Sequence, residues 1–530
     1  MLNKKSIIIL GFMLLFLYLL TDCSTFAYKK LSPDESIKIL ELAQSDEKKG
    51  QFKDSIKNYN KYIKNNFLTK RENAKFIYQI ANIYFSKLND SKNALKFTSI
   101  LLKHHPFNSY TEKGYILESR IYLKQRNYYK IIRLLGRYLN KVKVPRTQEN
   151  EMYFFVGKAY FELHQYKLSA TYLNLISLDF NNKDILYDTF YLLAQIYWYQ
   201  HNDRVMAYKY LQNLFKLDYK KGNFAEINLL FKKVRWQYIS KEDGLNDTCV
   251  SAIAFDGDYI WMGLWLGGVA RFTRSSHDLT IYGVRNGLIS KYIRDIKIDH
   301  NNVWVATFEG ISRYNKQSGT WYAYKSIPDV SYQKIKSIAI EKNYVWFGTL
   351  SRGIRRYNKS KDKWDSFSHK PKNILKIKKD PYSNLLVFGS LRKGFLIYDK
   401  KKWQQFTPKN SILGSKAVKD MAFDKNYVYV AAYKAGVYAY NKKTKKLKKL
   451  NLHKKSVYIN SLKVWKNKLL VGTLGDGVIV YDLATKQVTN LSIKDGLTSD
   501  SIMTIETEND YIWFGTVNDG VNILYWPDSP

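Results

Sequence analysis

Ile260-Trp261-Met262-Gly263, then Gly268, then Phe272: this line of apolar strand, glycine and aromatic decides the fold, because it returns six times before the chain ends. Its first four residues recur as Val303-Trp304-Val305-Ala306, Val345-Trp346-Phe347-Gly348, Leu386-Val387-Phe388-Gly389, Val428-Tyr429-Val430-Ala431, Leu469-Leu470-Val471-Gly472 and Ile512-Trp513-Phe514-Gly515. The small residue returns at intervals of 43, 42, 41, 42, 41 and 43. A glycine follows each time (Gly268, Gly310, Gly353, Gly394, Gly436, Gly477, Gly520), and then an aromatic in six units, with Leu524 in the seventh. Upstream sits an aliphatic or Met: Ile253, Ile296, Ile338, Met421, Leu462 and Ile505, with Ile377 filling this place in the fourth unit, whose turn Asp380–Asn384 is longer. Short strands rich in Val, Ile, Tyr, Phe and Trp, punctuated by glycine at a period near 42, fit a four-stranded propeller blade.

The outermost strand of each blade tells how the ring closes. Candidate fourth strands trail the first six units at 279–282, 320–324, 363–367, 403–406, 446–450 and 487–491, but after the seventh only Tyr525-Trp526 and four more residues remain. The missing strand stands at the front, at Arg235–Ile239. The reading is a seven-bladed propeller over 235–530, closed by the N-terminal strand 235–239, an arrangement that leaves no open sheet edge.

The blades resemble the two-component regulator propeller repeat. Asp243-Gly244-Leu245, Asn286-Gly287-Leu288 and Asp495-Gly496-Leu497 match its "DGL" turn, and Ile512-Trp513-Phe514-Gly515-Thr516 with Asp519-Gly520-Val521 matches its core line. In that family such propellers form extracellular sensors of hybrid histidine kinases and bind glycans. This sequence holds one propeller and no histidine-kinase segment, so the resemblance implies the fold and not the signalling.

Residues 32–230 have few glycines and prolines and a helical period, with a repeat of 37–38 residues. Ala43, Ala81, Ser119, Gly157 and Ala194 form one series, and Ser55, Ala94, Ile132, Ala170 and Ala207 a second. Between them lie turn-forming patches: Lys49-Gly50-Gln51, Asn89-Asp90, Gln125-Arg126-Asn127, His164-Gln165 and His201-Asn202-Asp203. About five helix–turn–helix units follow, in which small residues let paired helices approach. Ala81-Asn82-Ile83-Tyr84, Gly157-Lys158-Ala159-Tyr160 and Ala194-Gln195-Ile196-Tyr197 resemble tetratricopeptide repeats, which implies a solenoid that holds peptides or partner proteins. The fold class is therefore an all-α helical-repeat solenoid followed by an all-β propeller.

Residues 1–27 read as an export signal. Lys4 and Lys5 precede an apolar run, Ser6–Leu20, too short for a permanent span. Leu20-Thr21-Asp22-Cys23 resembles a lipobox that would make Cys23 a lipid attachment site, with Asp22 departing from the small residue preferred there. Cleavage after Ala27 and an uncleaved anchor are the alternatives. Each places the protein outside the cytoplasm, in the periplasm or at the cell surface, and with it goes the nucleic-acid reading of the net charge of +40. The densest basic run, Lys442–Lys449, falls between two strands of one blade and reads as a hairpin loop.

Catalytic and metal motifs are missing from the sequence. Two cysteines, Cys23 and Cys249, cannot build a disulfide framework, and Asp256-Gly257-Asp258 stands where a hairpin turn is required. No phosphate-binding or nucleophile motif occurs in a suitable context, so no cofactor is expected. The expectation is a non-enzymatic envelope scaffold, membrane-anchored at its N-terminus, with other envelope proteins as partners. The alternatives are a glycan or peptidoglycan fragment bound in the propeller funnel, or a hydrolase or lyase there. A ligand site requires polar and aromatic residues converging at one channel mouth. An enzyme requires in addition paired carboxylates, or a histidine beside one.

Overall fold

The computed structural model describes residues 31–527, apart from positions 67, 107, 141–144, 218, 220–223, 325, 328–329, 332–333, 368–369 and 453–457. Residues 1–27, read from the sequence as an export signal, and with them Cys23 lie outside the described residues. The chain divides into two compact units, Met1–Ile227 and Asn228–Pro530.

The first unit is a run of five helical hairpins: Pro33–Lys48 with Phe52–Asn65, Lys70–Ser86 with Ser91–His104, Ser109–Lys124 with Tyr128–Leu139, Arg146–Glu162 with Tyr166–Leu173, and Lys183–Tyr199 with Arg204–Lys216. Each first helix stops the same way. One residue turns left-handed (Gly50, Asn89, Arg126, His164, Asn202). The next N–H then bonds back to a carbonyl near the helix end, as from Gln165 to Tyr160 at 2.9 Å and from Asp203 to Tyr197 at 2.8 Å. Every one of these residues falls in a turn patch read from the sequence. Five residues on come Ser55, Ala94, Ile131, Ser169 and Ala207, all five wholly buried. This corrects the second sequence series in the third and fourth hairpins. Ile131 and Ser169 hold the contact positions, while Ile132 is half-buried and Ala170 stands one step round the helix. The turn, not a fixed period, sets the register. Where the position is serine, its hydroxyl donates to the facing carbonyl: Ser55 to Ala43 and Ser169 to Gly157, both at 2.8 Å.

The second unit is a seven-bladed β-propeller of seven four-stranded sheets. In each blade the second strand pairs with the first and third, and alternate residues drive the apolar set into the spaces between blades. Ile253, Ile296, Ile338, Ile377, Met421, Leu462 and Ile505 are at most 2% exposed, and Trp261, Trp304 and Trp346 are at 1%. The seventh sheet takes its outer strand from the N-terminal side: Trp236 pairs with Leu524 and Ile239 with Val521. Trp236 is buried, rests 6.1 Å from Phe514, and donates its indole N–H to Asp495 O at 2.8 Å. At this closure Gly520 has φ +73° and comes so near Ile239 O that a Cβ would lie 2.1 Å from it. Only glycine fits such an approach. The leucines of the three DGL-type turns, Leu245, Leu288 and Leu497, are each 3% exposed and plug the blade ends. A small extra hairpin, Ser326–Ile327 with Val330–Ser331, stands in the connection between the second and third blades.

Candidate functional site: the mouth of the propeller channel

The site begins with an irregularity in the innermost strands. All seven carry a one-residue β-bulge, seen as register shifts at Val250/Ala252, Ile293/Asp295, Ile335/Ser337, Ile374/Lys376, Val418/Asp420, Ile459/Ser461 and Ile502/Thr504. A bulge leaves one residue out of the ladder and re-aims its side chain. The seven skipped residues are Ser251, Arg294, Lys336, Leu375, Lys419, Asn460 and Met503, a ring around the channel of which three members are cations.

The bulge also strips a ladder partner from the buried N–H that follows. A side chain from the preceding blade supplies one in four places. Asp295 accepts from Ile338 N at 3.0 Å, Ser337 from Ile377 N at 3.0 Å, Asp420 from Leu462 N at 2.7 Å and Ser461 from Ile505 N at 3.1 Å. Neighbouring blades are thus stitched by polar bonds inside an apolar wall, as buried backbone groups demand.

A second ring frames the first. Two residues after each small residue of the core line stand Trp265, Phe308, Leu350, Leu391, Tyr433, Leu474 and Val517. Each rim residue donates its backbone N–H to a residue just ahead of the inner strand, at 2.9–3.2 Å: Cys249, Tyr292, Lys334, Asn373, Ala417, Tyr458 and Ser501 O accept in turn. Seven equivalent bonds fix the rim. Its aromatic members meet the cations of the bulge ring. The Arg294 guanidinium lies 3.9 Å from the Trp265 ring and 5.1 Å from Phe308. Lys336 is 5.7 Å from Phe308, and Lys419 is 5.0 Å from Tyr433. Tyr458, 41% exposed, packs edge-on against Tyr433 at 5.6 Å.

Electrostatics differ sharply along the channel. Deeper in, a cavity of about 400 Å³ is lined by Lys297, Lys378, Lys463 and Glu506 among the apolar side chains of the inner strands. There three cations face carboxylates: Lys378 reaches Asp420 at 2.8 Å, Lys297 reaches Asp295 at 3.6 Å, and Lys463 bonds to Glu506. Burial alone would raise the Asp295 carboxyl, yet Lys376 and Lys297 draw it down to about 2. Lys463, Lys297 and Lys378 do the same for Glu506, also to about 2. These are fixed anions, unsuited to delivering a proton.

At the mouth the balance fails. No described carboxylate lies within ion-pair distance of Arg294, Lys334, Lys336 or Lys419. The Nε and Nη1 of Arg294 are buried without a hydrogen-bond partner. Burial first, then the charges of Arg294, Lys419, Lys376 and Lys334, press the Lys336 ammonium down to about 7. Burial and Arg294 lower Lys419 as well.

Of the described residues singled out from the sequence, Cys249 lies beside the mouth, its carbonyl accepting from Trp265 N, and the others do structural work elsewhere. Cys249 precedes the first inner strand, half-buried, its thiol pushed up to about 11 by burial and Asp247. Asp256 pairs with Lys316 at 2.8 Å and Gly257 turns left-handed, so this is a hairpin turn. In the basic run, Lys442 enters an ion pair with buried Asp380 at 2.5 Å, tying the fourth blade to the fifth. Among the described residues no group of three His, Cys, Asp or Glu could hold a metal. Sequence reasoning missed the mouth. Its signal was present: each bulge residue lies two positions before the inner-strand aliphatic, and each rim residue two after the small residue.

Taken together, these features define a closed propeller with one rigid, aromatic and cationic mouth. No family model matches the chain. Over 333 residues, 56% of the chain, it is 23% identical to a curated relative named histidine kinase P4 from Formosa agariphila, and spans about a quarter of that protein's length (23%). Among solved structures it is similar to the extracellular domain of a hybrid two-component system of B. thetaiotaomicron (19% identity, 55% of this chain, 41% of that one, TM-score 0.46). It is also similar to that of a one-component system of the same organism (20%, 55% and 40%, TM-score 0.47).

Proposed function

We propose that the propeller is the ligand-receiving part of an exported, receptor-like protein, and that its ligand is a saccharide seated on the channel mouth. The observation that carries this is the pre-formed double ring. Aromatic faces at Trp265, Phe308 and Tyr433 stand on a rim held by seven backbone bonds, so binding has little ordering to offset. Sugar rings stack their C–H faces on such aromatics, and polar bulge residues lie beside them. The partial likeness to a histidine kinase is in keeping with a receptor-like setting. The scaffold reading has less behind it. Exposed large apolar side chains on the repeats are spread over all five hairpins, from Ile37 and Leu42 to Tyr199 and Val205. For catalysis the channel offers lysine-paired carboxylates rather than an acid–base couple.

A glycan array probed with the purified chain tests the proposal. Specific binding, lost in Trp265→Ala and Phe308→Ala with the unfolding midpoint unchanged, is the expected result. An array without a hit, alongside a stoichiometric protein partner recovered from the envelope fraction, would restore the scaffold. Mass spectrometry of the mature N-terminus tests the anchor: acylated Cys23 is expected, and a chain starting at Tyr28 would end that proposal.

A further inference from the structure

The mouth has an unmet electrostatic demand. Three bulges in one ring present Arg294, Lys336 and Lys419, and Lys334 and Lys376 add to the field at Lys336. Of the carboxylates nearby, Asp295 is committed to Lys376 at 3.4 Å, Lys297, the Ser337 hydroxyl at 2.8 Å and the Ile338 N–H. Asp420 is committed to Lys378 and the Leu462 N–H. Asp247 accepts from the Leu266 N–H at 2.5 Å and the Cys249 N–H at 3.1 Å. The same channel pairs Lys297, Lys378 and Lys463 with carboxylates a few residues deeper, so the excess at the mouth is local and not a consequence of a lysine-rich chain. Like charges held together by a rigid wall destabilise one another until a counter-charge arrives.

We propose that the mouth selects an acidic saccharide, one carrying sulfate or carboxylate groups, which Arg294, Lys336 and Lys419 grip while the rim aromatics carry the sugar rings. This rests on the receptor reading and adds the ligand's charge to it. Arg294 is the anchor. Its guanidinium lies over Trp265 at 3.9 Å with Nε and Nη1 buried, so the charge is positioned by the aromatic and no described carboxylate neutralises it, a fixed cation for a planar or tetrahedral oxyanion. Lys336 supplies a consequence that a neutral ligand would not produce. Facing Arg294 on one side, Lys376 and Lys419 on the other, and Lys334 just ahead of its own strand, it is half protonated near pH 7. An anion draws a proton onto it, so binding takes up a proton and weakens as pH rises. With that midpoint, about nine-tenths of Lys336 is charged at pH 6 and about one-tenth at pH 8, giving roughly a tenfold loss of affinity.

The test is calorimetric titration of the full chain at pH 6 and pH 8 with four probes: a sulfated oligosaccharide, an oligogalacturonate, a neutral galactose oligomer of the same length, and sodium sulfate. The expected result is binding of at least one acidic oligosaccharide, at least tenfold tighter than the neutral oligomer, with about tenfold loss at pH 8. The two acidic arms separate sulfate from carboxylate. Lys336→Arg should bind with its pH dependence abolished. Lys336→Met should weaken the acidic probe about tenfold at pH 6, and its urea midpoint shows that it is folded. Equal binding of the neutral oligomer, lost in Trp265→Ala, would overturn the charge selection and leave the receptor reading standing. Sulfate alone binding as tightly as the acidic oligosaccharide would overturn the saccharide, and no binding by any probe would overturn both. An unchanged pH dependence in Lys336→Arg would overturn the role of Lys336.

Discussion

Replacing Asp420 with alanine should damage the propeller more than any surface substitution, and the structure sets the size. Asp420 is 3% exposed and joins three blades: it lies in the fifth, accepts the Leu462 N–H of the sixth at 2.7 Å, and pairs with Lys378 of the fourth at 2.8 Å. The Leu462 N–H was freed by the bulge and has no second acceptor in reach, and orphaning such a group costs about 1–3 kcal/mol. Removing the carboxylate also strands the Lys378 ammonium, for which broken buried pairs show about 3–5 kcal/mol. Lys378 keeps Met421 O at 2.7 Å and its side chain is 19% exposed, so the lower end applies. The two losses together come to about 4 kcal/mol. Urea unfolding followed by tryptophan fluorescence reads it, because Trp198 alone of the twelve tryptophans lies outside the propeller. The midpoint should fall by roughly 1 M. Asp420→Asn, which keeps an acceptor oxygen, should lose about half as much. Adding Lys378→Met to Asp420→Ala should recover the ion-pair part and leave about 1–3 kcal/mol for the orphaned N–H. A single-mutant loss under about 1 kcal/mol, or a double mutant no better than the single, would refute the account of blades stitched at their bulges.

Other substitutions read other parts of the argument. Trp236→Ala empties the closing strand's anchor and should cost about 3–5 kcal/mol, with proteolysis starting in the seventh blade; a loss below about 1 kcal/mol would mean that the ring does not depend on it. In the helical unit, a Cβ at Gly157 would lie 2.7 Å from the Leu173 side chain, so Gly157→Val should destabilise by about 1–3 kcal/mol. By contrast, Gly136 has nothing within 4 Å, and Gly136→Ala should stabilise by about 0.5–1 kcal/mol, both read from the helical circular-dichroism signal on heating. Asp295 and Glu506 are held at about 2 in the fold, below their unfolded values of 3.8 and 4.5, so their contribution is complete above about pH 5.5 and disappears as pH falls toward 2. Each should bring on the order of 2 kcal/mol, and Glu506→Gln should flatten the acid limb of stability against pH; an unchanged limb would count against the lysine pairing.

The blade count was legible because a propeller repeats one local solution. Each unit needs a small residue where the next blade's inner strand crosses, as at Gly263, where a Cβ would lie 2.6 Å from Ile293, and a glycine where an outer-strand carbonyl intrudes, as at Gly520. These demands recur every 41–43 residues and so can be read as text. The hairpin turns were legible for the same reason, since a left-handed residue leaves a compositional mark. The contact register inside the third and fourth hairpins was not, because Ile131 and Ile132 are interchangeable as letters and only the angle set by Arg126 decides which one faces inward. The mouth was hidden more deeply. Arg294, Lys336 and Lys419 are three among 86 basic residues, and nothing local separates them from solvated neighbours. Their meaning comes from seven bulges that turn residues some 40 positions apart into one ring, and from carboxylates spent on other partners. Sequence periodicity records what every blade must do to pack. The charge at the mouth is a sum over several blades, and only the closed ring performs that sum.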